Sequence, residues 1–358
     1  MRENEKKELT LMLSDMENQS ELYKATNFWK EASKIIIDDI EKYGMKDFRR
    51  LSSSLSMFAP IYSYPDYVKD KTLFDATKLE LSKATTDLRL NLKLELLFLG
   101  QLQAFADYRV LASSNKDYAP FTDRVSESKI GNPLEHYSFD GRNFSRSFLN
   151  YLLGINFLKQ HIHKPDIKTV MEIGGGFGTL GEILLSDEKS ECFYINADIP
   201  PVSFVSSYYL KELFGSSNIA NYSHLREYDT LDIQDLKQKY KAINIASWQV
   251  PKLQGDIDLF VNFISFQEME ADVVQNYCNY IAKLNPKYIL LRNIEEGKKK
   301  KDENTIYGVQ EPILGKHYDD FFPEYKLIAT DGSIFGFQTE DGFHSQLRLY
   351  IKNSYNNN

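Results

Sequence analysis

The chain has 358 residues, 42% of them hydrophobic and 26% charged, which supplies a sizeable core and room for two domains. A formal net charge of -8 argues against a surface built for phosphate backbones, so nucleic acid is excluded as the expected partner. The two cysteines, Cys192 and Cys278, make neither a disulfide framework nor a zinc pattern, and they fit a reduced, cytoplasmic protein.

The first twenty residues are heavily charged and lack the apolar segment of a signal peptide. No apolar run approaches the ~20 residues of a membrane helix. Residues 21–43 place Leu22, Phe28, Trp29, Ile35, Ile36 and Ile40 at three- and four-residue steps, which predicts an amphipathic helix. A turn-rich stretch at 59–65 follows. A second helical pattern then runs from Leu73 to Leu111. Inside it, LRLNLKLEL alternates as a strand would, but the flanking helix formers and the length favour helix. A loop zone at 113–141, punctuated by Ala119-Pro120 and Gly131-Asn132-Pro133, sets a boundary near residue 125. Residues 142–163 read as one more helix. The expected organisation is a helical N-terminal domain over 1–125 and a second domain over 126–358.

After Pro165 the texture changes. Strands are expected at 169–173, 193–195, 242–245, 259–264 and 288–291, with helices at 180–185, 202–214 and 271–284. That alternation predicts βαβ units and a parallel sheet. Two further strands, 325–329 and 346–351, have no helix between them and would close the sheet as a hairpin.

The sharpest motif is Glu172-Ile173-Gly174-Gly175-Gly176-Phe177-Gly178-Thr179-Leu180, between a strand and a helix. Glycines let the backbone turn tightly and let a ligand approach, and a helix N-terminus favours a carboxylate or phosphate. Twenty positions after Gly178, at the end of the next strand, Asp198 is placed to accept hydrogen bonds from ribose hydroxyls. Two cofactor classes compete. Gly176 to Gly181 fits the dinucleotide pattern G-x-G-x-x-G. Glu172, two positions before Gly174, gives E-x-G-x-G-x-G, which resembles the first motif of Rossmann-like methyltransferases. The mid-chain position of the loop and the terminal hairpin also favour S-adenosylmethionine.

The region from Gly131 to Lys352 resembles a family of sugar O-methyltransferases that modify surface polysaccharides and glycosylated natural products. The resemblance rests on Gly131-Asn132-Pro133, the run from Val170 to Gly178, Asp198-Ile199-Pro200, and the run from Asp258 to Met269, which contains Ser265-Phe266-Gln267-Glu268-Met269. It implies an α/β, Rossmann-like methyltransferase fold, a mostly parallel seven-stranded sheet with helices on both faces, preceded by the helical domain. It also implies a sugar, nucleotide-sugar or glycan as acceptor. The helical third would cover the acceptor or form a homodimer surface.

Methyl transfer to a hydroxyl requires alignment of oxygen, carbon and sulfur and removal of a proton. Glu268, just past the 259–264 strand, suits a general base and equally suits the start of the next helix. His317, then His136 and His344, are the histidine candidates, each also suited to a structural role. Glu172, Gly174, Gly175, Gly176, Gly178, Asp198 and Ile199 are expected at the cofactor. Trp248 and Gln249, after the 242–245 strand, are expected near adenine. Gln267 would orient a sugar hydroxyl or the cofactor. Arg292 and Asn293 would meet the acceptor, and the basic run 298–301 would suit an anionic one. No metal-ligand pattern is present, so no metal is expected.

Overall fold

The computed structural model describes residues 1–51, 60–63, 71–84, 87–301, 308–339 and 342–355. Of the turn-rich stretch, residues 60–63 fall inside these limits, and 59, 64 and 65 lie outside them. The N-terminal third is helical: α1 (Glu3–Glu17), α2 (Asn27–Tyr43), α3 (Lys71–Ala84), α4 (Leu88–Phe98) and α5 (Gln101–Ser114). The single long pattern expected at 73–111 is thus three helices. Asp87 caps α4 by accepting from the backbone N–H groups of Arg89 and Leu90. Gly100, at φ +73, breaks the chain before α5.

A small hairpin, β1 (Tyr137–Phe139) and β2 (Arg142–Phe144), leads into α6 (Arg146–His161). The alternating half follows: β3 (Thr169–Ile173), α7 (Thr179–Leu185), β4 (Phe193–Asp198), α8 (Val202–Phe214), β5 (Ile219–Ala220), α9 (Tyr222–Leu225), β6 (Leu231–Asp232), α10 (Ile233–Lys239), β7 (Ala242–Ala246), β8 (Leu253–Gln254), β9 (Leu259–Phe263), α11 (Ala271–Lys283) and β10 (Tyr288–Ile294). Finally come α12 (His317–Phe321), β11 (Tyr325–Asp331), β12 (Phe337–Gln338) and β13 (His344–Lys352).

The main sheet runs β11-β13-β10-β9-β3-β4-β7-β5, with β12 paired to β13. β3, β4, β5, β7, β9 and β10 are parallel, and β13 is antiparallel to both β10 and β11. The sheet is therefore mixed, with nine strands where seven were expected. The two additional strands, β5 and β12, are two residues long, too short to leave a periodic trace. The expected closing hairpin forms, with β13 inserted between β10 and β11.

Strand residues alternate between two cores, as a doubly wound sheet requires. Val170, Leu259, Val261 and Leu290 face one core, shared with α7 and α8. Met171, Ile173, Phe260, Ile289 and Leu291 face the other, shared with α11 and α12. Leu9 and Met12 of α1, and Ile36 and Ile40 of α2, belong to the first core. A third cluster joins α5, β2 and α6 through Tyr108, Phe144 and Leu149. Among the described residues, no helix is long and apolar enough to cross a membrane.

Candidate active site

The chain winds outward from β3 in both directions, to β4 and β7 on one side and to β9 and β10 on the other. Such a reversal opens a crevice at the carboxyl ends of the strands. A cavity of about 260 Å³ lies there. Its floor is Ile173 to Phe177 after β3, Ala197 to Ile199 at the end of β4, Ser247 after β7, and Phe263 to Ser265 at the end of β9. Ile264 sits at φ +72. That is a costly conformation for a β-branched residue, of the kind that concentrates at functional sites.

The glycine loop has the geometry its sequence implies. Gly174, at φ +72, is pressed against Ser265, whose Oγ would lie 2.0 Å from an added Cβ. A Cβ on Gly175 would lie 2.5 Å from both Asn196 Oδ1 and Glu172 Oε2. Gly176 has open space in front of it, and its N–H donates to Asp198 Oδ2 at 3.2 Å. The Ile199 N–H donates to Asp198 Oδ1 at 2.8 Å. Asp198 is half-buried in the cavity wall, and this burial pushes its carboxyl up to about 8. The neighbouring Glu172 and Glu268 charges push in the same direction.

Glu172 is packed behind the loop rather than lining the cavity. It accepts from Tyr151 Oη at 2.7 Å and from Tyr194 Oη at 2.5 Å. Burial pushes its carboxyl up to about 7, against the pull of those two hydrogen bonds. Tyr151 does reach the cavity, where its ring stacks on Phe263 at 4.9 Å and 12°. Gly178 turns the chain into α7 with its own Cβ position against Ser206 and Leu210. Phe177 is gripped between Phe48 at 5.6 Å and Tyr209 at 5.0 Å, with the Arg49 guanidinium 4.9 Å from its ring.

Of the four acid–base candidates, Glu268 lines the cavity and the three histidines do not. Both Glu268 oxygens are engaged. Lys298 Nζ donates to Oε1 at 2.7 Å, and Trp29 Nε1 donates to Oε2 at 3.0 Å. Thr26 Oγ1 donates to the Glu268 carbonyl at 3.1 Å, and Ser247 Oγ donates to the Tyr23 carbonyl at 2.7 Å. Lys24, Thr26 and Trp29 thereby roof the cavity. His317 Nδ1 accepts from the Leu314 N–H at 3.2 Å and closes its own turn. His136 lies 3.7 Å from Glu127, and burial lowers its pKa. His344 Nδ1 meets Glu296 Oε1 at 2.6 Å on the surface. With Glu295 these two form the one group of metal-type ligands among the described residues, outside the cavity.

Trp248, Gln249 and Gln267 are buried structural groups in this geometry. Trp248 meets Tyr222 edge-on at 5.6 Å. Gln249 Oε1 accepts from the Ala246 N–H and its Nε2 donates to the Leu225 carbonyl. Gln267 Oε1 accepts from the Ile294 N–H, tying the turn after β9 to the end of β10. Arg292 is also enclosed. Its Nη2 donates to the carbonyls of Asn150 and Phe335, and burial brings its pKa down to about 10. Asn293 Oδ1 accepts from the Gln267 N–H, and its Nδ2 donates to Asn262 Oδ1. The roof residues and Tyr151 belong to no motif. Trp29 is visible in the sequence as an apolar helix position, with nothing to mark it as a cavity residue.

No family model matches the chain, and no curated protein matches it. Solved structures do. One is the mitomycin 7-O-methyltransferase, at 11% identity and a TM-score of 0.37, over 57% of this chain and 53% of that one. The chain thus spans about half the length of that protein. A second is the magnesium protoporphyrin IX methyltransferase of Synechocystis PCC 6803 with bound SAM, at 9% identity and 0.36, over 58% and 81%. A third is a SAM-dependent methyltransferase of Aquifex aeolicus, at 10% identity and 0.37, over 58% and 94%.

Proposed function

We propose that the cavity binds S-adenosylmethionine and that the protein is an O-methyltransferase acting on a sugar hydroxyl. The observation that carries the cofactor reading is the charge of the site. Asp198 and Glu268 form its wall, Glu172 lies directly behind the glycine loop, and Lys24 is the sole basic lining residue among those described. Such a cavity favours a ligand carrying sulfonium and ammonium groups, whose positive charge would draw the Asp198 carboxyl into its ionised form. The open face of Gly176 leaves room for close approach. Asp198 would take the ribose hydroxyls, and Ile199, Ser247 and Tyr277 would flank the adenine.

The cofactor would supply an activated methyl group on a good leaving group. The chain's own residues do the rest. Tyr151 and Phe263 present stacked rings as a flat apolar wall, which suits the C–H face of a sugar. Trp29 and Thr26 exclude water from above. Glu268 accepts the hydroxyl proton, and its ion pair with Lys298 holds it in place beside the wall. The sugar reading rests on the resemblance carried by Ser265 to Met269, and the free cysteines Cys192 and Cys278 support a cytoplasmic protein.

Calorimetric titration with S-adenosylmethionine, S-adenosylhomocysteine and NADH in parallel tests the cofactor. Saturable binding of both sulfur compounds and none of NADH is expected, and binding of NADH alone overturns the proposal. Methyl transfer to nucleotide-sugars and glycans, followed by mass, then tests the acceptor.

A further inference from the structure

Large apolar side chains on a protein surface are normal singly and informative in groups. Here they gather in one stretch. Leu79 of α3, Leu88, Leu90 and Leu92 of α4, and Leu102 and Phe105 of α5 are between 41% and 82% exposed. The cause lies in the period of the sequence. Leucines at every second position rotate by about 200° per step on a helix. Leu88 and Leu92 therefore share one side of α4, and Leu90 lies nearly opposite. A helix that is apolar on opposite sides needs cover on both. Its own neighbours supply part of that cover. The Ala104, Tyr108 and Leu111 side of α5 packs on α6, and Lys78 of α3 pairs with Glu95 of α4 at 3.0 Å.

We propose that the α3–α4 hairpin is a dimerisation arm, packing against the same hairpin of a second copy about a two-fold axis. Four helices in that arrangement cover the Leu88 and Leu92 side of each α4. The area agrees. With about 200 Å² for a fully exposed large side chain, Leu79, Leu88 and Leu92 offer roughly 400 Å² per copy. Doubled, that is roughly 800 Å² of apolar core, which at an apolar share of about 60% corresponds to an interface of roughly 1,300 Å², within the range of stable ones. The charge agrees as well. Residues 71–98 carry five basic and four acidic side chains, interleaved along the sequence. Mixed signs are self-complementary across a two-fold axis. They do not provide the basic polar face that an anionic bilayer selects, and the whole chain is acidic.

Sedimentation equilibrium of the full chain at micromolar concentration tests this. The native protein is expected at twice the 41.5 kDa of one chain. The double variant Leu88→Glu, Leu92→Glu is expected at the single-chain mass, with unchanged far-ultraviolet dichroism, because both sites are exposed within one copy. A native protein that stays at the single-chain mass overturns the proposal, as does a dimer that survives the double variant. Flotation with vesicles of phosphatidylcholine and phosphatidylglycerol is the third arm. A native protein that floats as a monomer would assign the face to a membrane instead.

Discussion

The stretches 288–294 and 88–98 are both leucine-rich, and they meet opposite fates. In β10 the apolar run lies in a sheet covered on both faces, so Leu290 and Leu291 are fully buried although they point opposite ways. In α4 the leucines also point opposite ways, and among the described residues no second layer covers Leu88, Leu90 and Leu92 fully. An apolar residue is buried by the match between its period and the layers around its element, not by its own hydrophobicity. A strand between two helical layers tolerates any apolar period. A surface helix tolerates one of 3.6 residues.

That contrast can be broken at its strong end. Leu290→Ala is expected to cost about 2–5 kcal/mol in urea denaturation, because it opens a cavity in the core against one face of the sheet. A cost below that range would show that the sheet relaxes around the gap.

Gly175→Ala is expected to cost about 1–3 kcal/mol of stability through overpacking. The added Cβ meets Asn196 and Glu172 at 2.5 Å. Cofactor affinity is expected to fall with it, read by thermal unfolding with and without S-adenosylmethionine.

Asp198→Ala is expected to weaken cofactor binding by about 1–3 kcal/mol. Unchanged affinity would remove Asp198 from the site. The same residue sets a pH dependence. In the ligand-free fold its carboxyl keeps a proton up to about 8, against 3.8 ordinarily. Between those limits the unfolded chain has released a proton that the folded chain retains, so stability falls as pH rises from about 4 to about 8. Glu172 and Glu182, both raised to about 7 by burial, act in the same direction. A cationic cofactor favours the ionised carboxylate. Its affinity is therefore expected to rise towards pH 8, by at most about tenfold per pH unit, and the Asp198→Ala variant should flatten the slope.

The weak end of the contrast gives the smallest effect. Leu92→Ala, at 55% exposure, is expected to change the stability of a dilute, monomeric sample by no more than about 0.5 kcal/mol. A cost close to that of Leu290→Ala would mean that α4 is core, and the comparison would fail.

The alternating half was legible because its signals are local. The edges of β3, α8 and α11, the glycine loop, and Asp198 at the end of β4 can each be read from a few adjacent residues. The breaks at Asp87 and Gly100 were present in the sequence too, but the continuous leucines around them masked a capping residue and a left-handed glycine. The rest of the site was not legible, because it is assembled from a distance. Trp29 and Thr26 reach Glu268 across some 240 positions, and Tyr151 reaches Glu172 from a helix with no motif. The histidines failed as cavity residues for a related reason. His136 and His344 lie at strand edges and His317 opens α12, while each side chain is taken up by a neighbour: Leu314 for His317, Glu127 for His136, Glu296 for His344.

The roof has an optical consequence. The chain holds two tryptophans. Trp248 is sealed against Tyr222, away from the cavity, while the Trp29 indole hangs over it with its N–H on Glu268. Emission from the native protein therefore mixes one constant source with one that reports on the cover. Ligand entry and departure can be followed by intrinsic fluorescence in stopped flow, with no label attached.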